Sequence, residues 1–250
     1  MSRSGKRKAQ KHAETMANIE AGAKIVRERV PKSRILAFAD PDDQFQEVQT
    51  VNVRTTPVAW GLPMDETVFS MWVQRSMRHQ VMPWDDLLFS RSTYVPDARN
   101  IIHDRFIKHS KCDILVMNDS DTILPPEFLD TCLNHMVSNP EIRMIGGWYK
   151  KKALEEGKDY PLVYHYRPDV PGKSAFEPYK EPGTGLESVD AAGAGCWVMH
   201  RSVAEAVGPM PYNMNEGGED LIFCRKVVNA GFKLWIDWDL RCAHIGVAPY

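Results

Sequence analysis

Short apolar runs alternate with helix-like segments along this chain, and this alternation constrains the fold more than any other feature. The strand-like runs fall at 34–39, 50–56, 86–89, 113–117, 143–148, 196–200, 233–236 and 241–245. The helix-like segments fall at 16–30, 65–78 and 97–109, after Pro125 and Pro126, after Ser202 (with Glu205 as a capping box), and at 219–230 before Gly231. We therefore predict an α/β fold with a mainly parallel central sheet flanked by helices.

Composition excludes several classes of protein. The 250 residues are 43% hydrophobic and 26% charged, which is typical of a globular domain. The net charge of −2 argues against a uniformly basic nucleic-acid coat. No apolar run approaches the roughly 20 residues that span a bilayer, and the amino terminus lacks the apolar core of a secretory signal. The five cysteines are never spaced as CxxC, so we expect reduced thiols and a cytoplasmic location.

The chain divides by composition into an arm and a body. Residues 1–33 hold a basic arm and an amphipathic helix, and residues 34–250 form the predicted catalytic domain. The apolar stripe within 13–30 packs on its own domain or forms a homodimer contact. Residues 150–187 are rich in proline and glycine, and we expect them to form a mobile loop that covers the acceptor.

An acidic turn follows the most apolar of the strand-like runs. Asp119 and Asp121 come directly after 113–117, at the end of a predicted strand where α/β sheets bind ligands. Two carboxylates separated by one residue repel each other unless they share a hard divalent cation. The alternative is a plain turn, in which aspartate and serine are common.

Two further segments are able to complete such a site. Glu219 and Asp220 follow Gly218 at a predicted helix start, where acids are favoured by the helix dipole and where one of them is also placed to act as a general base. Gly218 permits the close approach of an acceptor. His244 lies in an apolar strand, where it is either a core residue or a partner of the carboxylates on a Mn²⁺-like ion.

The segments NDSDTILPPEFL, VDAAGAGCWVMHRSV, GGEDLIFCRKVVNAGFKLWID and CAHIG occur in this order. Together they resemble the GT-A fold glycosyltransferases, in particular the family-2-like group. The resemblance runs from about Val51 to the carboxyl terminus. It implies a nucleotide-diphospho-sugar transferase of Rossmann-like GT-A fold, with Mn²⁺ or Mg²⁺ as cofactor and most commonly a UDP-sugar as donor.

The resemblance also implies roles for individual residues. Asp121 would be the main metal ligand, His244 would complete the protein's share of the coordination, and Asp119 would hold the donor ribose or the metal through water. Asp220 would be the catalytic base, and Glu219 would help to bind the acceptor. Donor contacts are implied for Thr55, Thr56, Pro57, Arg99, Asn100, Asp119, Ser120, Gly193 and Gly195. Trp148 and Trp197 are candidate acceptor platforms, although tryptophans at strand ends are also common core residues.

The predicted function is therefore metal-dependent transfer of a sugar to an acceptor hydroxyl, with inversion by Asp220. The acceptor remains open between a protein, a glycan and a modified nucleic acid. One alternative is a haloacid-dehalogenase-type phosphotransferase with Asp119 as nucleophile and Asp121 as acid/base, which Ile123 disfavours because that motif prefers Thr or Val there. Another is a nucleic-acid-binding module that uses the basic arm.

Overall fold

The computed structural model describes residues 54–63, 81–90, 92, 94–151, 160–168, 175–214 and 218–245. The chain divides into two compact units, Met1–Thr56 and Pro57–Tyr250. In the first unit the described residues are 54–56, where the Arg54 guanidinium donates to the Thr56 carbonyl. The predicted basic arm, the 13–30 stripe, the strand at 34–39 and the helix at 65–78 lie outside the described residues.

The described part of the second unit alternates strands and helices. Its strands are β1 (Ala59–Pro63), β2 (Asp86–Ser90), β3 (Ile114–Asn118), β4 (Thr122–Ile123), β5 (Met144–Trp148), β6 (Val163–Tyr166), β7 (Phe176–Pro178), β8 (Leu186–Val189), β9 (Ala191–Ala192), β10 (Cys196–His200), β11 (Leu234–Arg241) and β12 (Ala243–His244). Its helices are α1 (Val95–His109), α2 (Phe128–Ser138), α3 (Arg201–Val207) and α4 (Glu219–Asn229).

A seven-stranded sheet in the order β2-β1-β3-β10-β5-β11-β8 forms the centre of the fold. β1 pairs in parallel with β2 and β3, and β5 with β11, whereas β10 and β8 run antiparallel to their neighbours. Five of the seven strands therefore point the same way, as predicted. Their carboxyl ends share one edge of the sheet, which is where α/β folds place their ligands.

Helices cover both faces of this sheet. Along β3, Leu115 and Met117 pack into one apolar core, whereas Ile114 and Val116 pack into another. The first core includes residues of α1, α3 and α4, and the second includes residues of α2. A strand buried on both faces favours apolar residues on both, which explains the run Ile114–Met117.

Most predicted elements within the described residues are present. The strands expected at 86–89, 113–117, 143–148 and 196–200 are confirmed within one residue at each end. The strand expected at 50–56 is wrong in its described part, since 54–56 is irregular and β1 begins only at Ala59. The β-branched Thr55 and Thr56 have a high strand propensity, which led to this prediction. The strand forms instead in the buried run after Pro57, because burial outweighs local propensity.

The ends of two helices test the capping predictions. The capping box at Ser202 and Glu205 is wrong, because α3 begins one residue earlier and the His200 Nδ1 accepts from the Ser202 backbone N–H at 3.1 Å. Gly231 after α4 has φ of +87°, which confirms the predicted glycine stop.

The described residues of the proline- and glycine-rich stretch 150–187 contain strands that the sequence did not predict. Its described residues include β6, β7 and the start of β8, and β6 pairs with β7 and β9 in a small antiparallel sheet. Tyr164 and Tyr166 of β6 pack against the core that contains α1. Within the described ranges, no helix is both long and apolar enough to cross a membrane.

Candidate active site at the carboxyl edge of the sheet

The acidic turn is held rigidly where β3 ends. The Asn118 amide donates to the carbonyls of Thr122 at 3.0 Å and Gly195 at 3.1 Å. The Asp119 backbone N–H also donates to the Gly195 carbonyl at 3.1 Å, and its own carbonyl accepts from the Thr122 N–H at 3.0 Å. The Gly195 backbone, directly before β10, therefore fixes the direction in which the carboxylates leave the turn.

A buried arginine on α1 joins the two acidic segments. The Arg99 guanidinium, 4% exposed, donates to both Asp119 carboxylate oxygens at 2.9 and 2.8 Å and also to Glu219. Burial opposes its charge, but the carboxylates of Asp119, Glu219 and Asp220 outweigh burial and raise the pKa of Arg99 above its ordinary value. One permanent cation therefore neutralises part of an acidic cluster built from segments 100 residues apart.

The surroundings of Asp220 raise its pKa above the ordinary value for an aspartate. Burial, together with the neighbouring Glu219, raises its pKa to about 6, while Arg99 and the Leu221 backbone N–H act in the opposite direction. The Leu221 N–H donates to Asp220 Oδ1 at 2.8 Å. Gly218 makes room for this carboxylate, because a Cβ there would lie 2.9 Å from Asp220 Oδ1. A carboxylate with a pKa close to the working pH is suited to general base catalysis.

His244 lies beside Asp121. The two-residue strand β12 pairs with β4, which sets His244 opposite Thr122, and the imidazole Nε2 lies 3.6 Å from Asp121 Oδ2. The Ile245 N–H donates to the Asp121 carbonyl at 2.8 Å. The His244 Nδ1 lies 3.1 Å from the Lys150 carbonyl, a contact in which Nδ1–H donates, so Nε2 is the ring nitrogen that faces Asp121.

Tyr149 contacts both the Gly195 backbone, which holds the acidic turn, and His244. The sequence analysis did not identify it as a site residue. Its buried hydroxyl accepts from the Gly195 N–H at 2.9 Å, and its ring meets the His244 ring edge-on at 4.9 Å. A Cβ at Gly193 or Gly195 would lie 2.5 or 2.8 Å from the Tyr149 oxygen. Packing against Tyr149 therefore requires both glycines. The sequence signal that could have identified Tyr149 as a site residue is its position directly after the parallel strand β5, which ends at the same edge of the sheet.

The residues present suit a divalent cation with few protein ligands. Asp121 and His244 offer one carboxylate and one imidazole, a combination that Mn²⁺ accepts. Asp119 precedes Asp121 by two residues, and both of its oxygens accept hydrogen bonds from Arg99, so its part in binding the metal or the donor stays a prediction. Among the described residues no group of three or more His, Cys, Asp or Glu side chains is arranged around one point, so a cation here would take its other ligands from substrate and water.

Several expected contacts lie elsewhere in the structure. Asn100 is buried, and its amide bonds the backbone of Tyr212, with Nδ2 donating to the carbonyl at 2.8 Å and Oδ1 accepting from the N–H at 2.9 Å. It therefore positions that loop rather than facing a donor. Ser120 is half-buried in the acidic turn, and Pro57 is exposed before β1. Thr55 and Thr56 belong to the first unit, and their role stays a prediction.

The two candidate acceptor platforms are corrected by burial. Trp148 is 6% exposed, and its indole N–H donates to the Trp238 carbonyl at 2.8 Å. Trp197 is 1% exposed and stacks on Phe223 with ring centroids 5.3 Å apart. A platform for a sugar needs an exposed face, so both residues act as core residues.

Comparisons with known proteins add evidence at the level of the fold. No protein-family model and no curated protein sequence matches this chain. Among solved structures, A197 from STIV is similar over 76% of this chain and 86% of its own, with a TM-score of 0.59 and 16% identity. GalNAc-T7, solved with UDP, GalNAc and Mn²⁺, is similar over 76% of this chain, with a TM-score of 0.54 and 11% identity.

The fold is of the GT-A type. This confirms the predicted fold class, including the mainly parallel sheet. The chain spans 44% of the length of the GalNAc-T7 structure, so the similarity concerns one part of that protein.

Proposed function

We propose that this protein is a metal-dependent glycosyltransferase that moves a sugar from a nucleotide-diphosphate donor to an acceptor hydroxyl. The observation that carries the proposal is the meeting of Asp121 and His244, 123 residues apart, at the carboxyl edge of a GT-A sheet. The Asp119–Arg99–Glu219 cluster adjoins this pair through the acidic turn. The GalNAc-T7 structure contains UDP and Mn²⁺, which supports a UDP-sugar donor and Mn²⁺ or Mg²⁺.

In this proposal each residue of the site has a separate chemical role. Asp121 and His244 hold the cation, which would neutralise negative charge on the leaving diphosphate. Asp220 accepts the acceptor's proton, and a positioned base is worth roughly 10²–10⁴-fold in rate. Glu219 contributes to acceptor binding next to the base. Arg99 holds the carboxylates of Asp119 and Glu219 in fixed positions, so the cluster does not reorganise during the reaction.

The geometry favours this function over phosphoryl transfer through Asp119. A carboxylate is most nucleophilic when its oxygens are weakly bound, whereas both oxygens of Asp119 accept hydrogen bonds from Arg99 at 2.8–2.9 Å. A buried guanidinium also lowers the nucleophilicity of the carboxylate that it binds.

The five cysteines support a reducing location for this activity. All of them are buried free thiols. We therefore keep a cytoplasmic location as part of the proposal.

Asp220→Asn tests the role of the base. We expect turnover to fall by 10²–10⁴-fold with little change in donor affinity, because the amide keeps the shape but cannot accept the proton. The wild-type rate should rise with pH through about 6, where Asp220 becomes ionised. Steady-state kinetics across pH 4.5–8.5 provide the measurement.

Two controls define the outcome. Glu205→Gln neutralises an acid on α3, which lies outside the proposed site, and should leave turnover unchanged. Near-normal turnover in Asp220→Asn would exclude Asp220 as the base. NMR of the product formed from an α-linked donor tests inversion, since retention of the α configuration would overturn it.

A further inference from the structure

Strand β6, which carries two tyrosines, lies along helix α4, which carries the proposed base. The Tyr166 hydroxyl accepts from the Arg225 guanidinium, whose central carbon lies 4.2 Å from the centre of the Tyr166 ring. Arg225 belongs to α4, and Asp220 lies in the first turn of the same helix. The contact therefore holds β6 against the helix that presents Asp220.

A second set of contacts places Tyr164 beside Asp220. Cys224 follows Asp220 by one turn, so the two side chains share one face of α4. The Cys224 Sγ lies 3.5 Å from both the backbone nitrogen and the carbonyl oxygen of Ala192 in β9. Ala191, the preceding residue of β9, pairs with Tyr164 of β6. Strand β9 therefore connects the Asp220 face of α4 to Tyr164.

The charge of Asp220 acts on the Tyr164 phenol. Burial is the largest cause that raises the pKa of Tyr164 above its ordinary value, and the Asp220 carboxylate raises it further. The phenol therefore keeps its proton over the pH range in which Asp220 becomes ionised. Tyr164 is thus a hydrogen-bond donor under the conditions in which the base acts.

The Tyr164 hydroxyl has no hydrogen-bond partner within the part of the chain that the structure describes, and the side chain is half-buried. Tyr166 lies on the same face of β6, about 7 Å further along the strand, and its hydroxyl is bound by Arg225. Polar groups that are removed from water are normally hydrogen-bonded. A half-buried donor that lies beside the base and has no protein partner is therefore placed to bind a substrate group.

We infer that Tyr164 binds the acceptor, with its hydroxyl donating a hydrogen bond to a neutral sugar beside Asp220. The inference rests on the proposed function, and it names the acceptor class of that site. The charged group that acts on Tyr164 is a carboxylate, which disfavours a phosphorylated or nucleic-acid acceptor. A sugar offers hydroxyl oxygens to the phenol and C–H groups to its ring, which suits a side chain with an apolar body and a polar tip.

The first test compares sugar binding by the full chain in the wild type and in Tyr164→Phe. Saturation-transfer NMR, with UDP and Mg²⁺ present, measures the affinity for methyl glycosides of glucose, galactose, mannose and N-acetylglucosamine. We expect at least one glycoside to bind the wild type and to bind Tyr164→Phe about fivefold more weakly, because one hydrogen bond is lost. The midpoint of urea unfolding should not fall, because the hydroxyl that is removed has no protein partner.

Tyr166→Phe is the matched control. It removes a hydroxyl from the same face of the same strand, but one that Arg225 already binds. We expect it to lower the midpoint of urea unfolding and to leave glycoside affinity unchanged. The two variants should therefore separate sugar binding from the stability of β6.

The second test separates acceptor binding from damage to the base. With the glycoside that binds best as acceptor, Tyr164→Phe should raise the acceptor KM about fivefold. Hydrolysis of the nucleotide sugar by water alone should be unchanged, because water also needs the base but does not need the phenol.

The outcomes distinguish this inference from the proposed function. Glycoside binding that is absent in the wild type, or that falls equally in Tyr164→Phe and Tyr166→Phe or in neither, overturns the inference even if sugar is transferred to a protein or a nucleic acid. An equal fall of transfer and donor hydrolysis in Tyr164→Phe also overturns it. Glycoside binding that depends on Tyr164, together with a failure to transfer or hydrolyse any nucleotide sugar, would refute the proposed function alone.

Discussion

At the scale of single residues, Arg99 determines the charge balance of the site. It contacts Asp119 and Glu219 directly and lowers the pKa of Asp220, so one side chain acts on three acids. Sequence alone placed Arg99 near the nucleotide, because a resemblance identifies an element but not its partner. The partner became visible only when α1 and the acidic turn met in space.

Arg99→Gln should therefore change both stability and pH dependence. Removing the cation leaves the partly buried carboxylates of Asp119 and Glu219 without their charged donor, and losing such hydrogen bonds costs about 1.5–3 kcal/mol. Because Arg99 lowers the pKa of Asp220, its loss should move the acidic limb of the activity profile above the wild-type value of about 6. Urea unfolding and a pH–rate profile measure the two effects, and an unshifted limb would show that Arg99 does not act on the base.

Gly193 gives a second prediction at this scale. A Cβ there would lie 2.5 Å from the Tyr149 hydroxyl oxygen, so Gly193→Ala should destabilise the protein by about 1–3 kcal/mol through overpacking. Tyr149→Phe removes the oxygen and should recover part of that loss. A double-mutant cycle from urea melts gives the coupling, and strictly additive effects would contradict the contact.

At the scale of elements, α1 joins the site to the core. Arg99 serves the site, whereas Asn100 bonds the backbone of Tyr212 and, one turn after Arg99, His103 is fully buried against Tyr212 and Phe223. Burial lowers the pKa of His103 to about 4. The sequence predicted the helix but not which of its polar residues are buried. Polar residues on a helix indicate a solvent-exposed face until the elements that pack against it are known.

His103 makes one identifiable contribution to the pH dependence of folding. The unfolded imidazole takes up a proton below about pH 6.5, whereas the folded one resists protonation down to about 4, so stability contributed by the neutral ring is lost as pH falls through that window. Replacing His103 by Leu should flatten this fall relative to wild type. Unfolding free energies at pH 4.5 and 7 measure the difference, and equal slopes in both proteins would refute the assignment.

Elements were predictable where burial and local pattern agree. The strand predicted from the apolar run DILVM lies within one residue of β3. In contrast, β6 was not predicted, because its tyrosines lie in a segment rich in proline. Short strands such as β12 have too few residues for a period, so their pairing depends on long-range contacts.

At the scale of the whole molecule, the fold is shared with proteins of 11–16% identity. A two-faced sheet needs apolar volume and strand direction rather than particular residues, so the fold tolerates almost complete replacement of its core. The acid and imidazole at its carboxyl edge do need particular residues. This is why the order of short motifs indicated the fold class, while the separation of Asp121 and His244 had to come from the structure.

The most direct test of the account is a thermal-shift panel of nucleotide sugars with Mn²⁺, with chelator, and with the Asp121→Ala and His244→Ala variants. One nucleotide sugar at about 100 times its Kd should stabilise the wild type by about 2.7 kcal/mol, or roughly 5–10 °C for a chain of this size. We predict that this shift disappears with chelator and in both variants. A shift of equal size without metal and in both variants would contradict a cation held between Asp121 and His244.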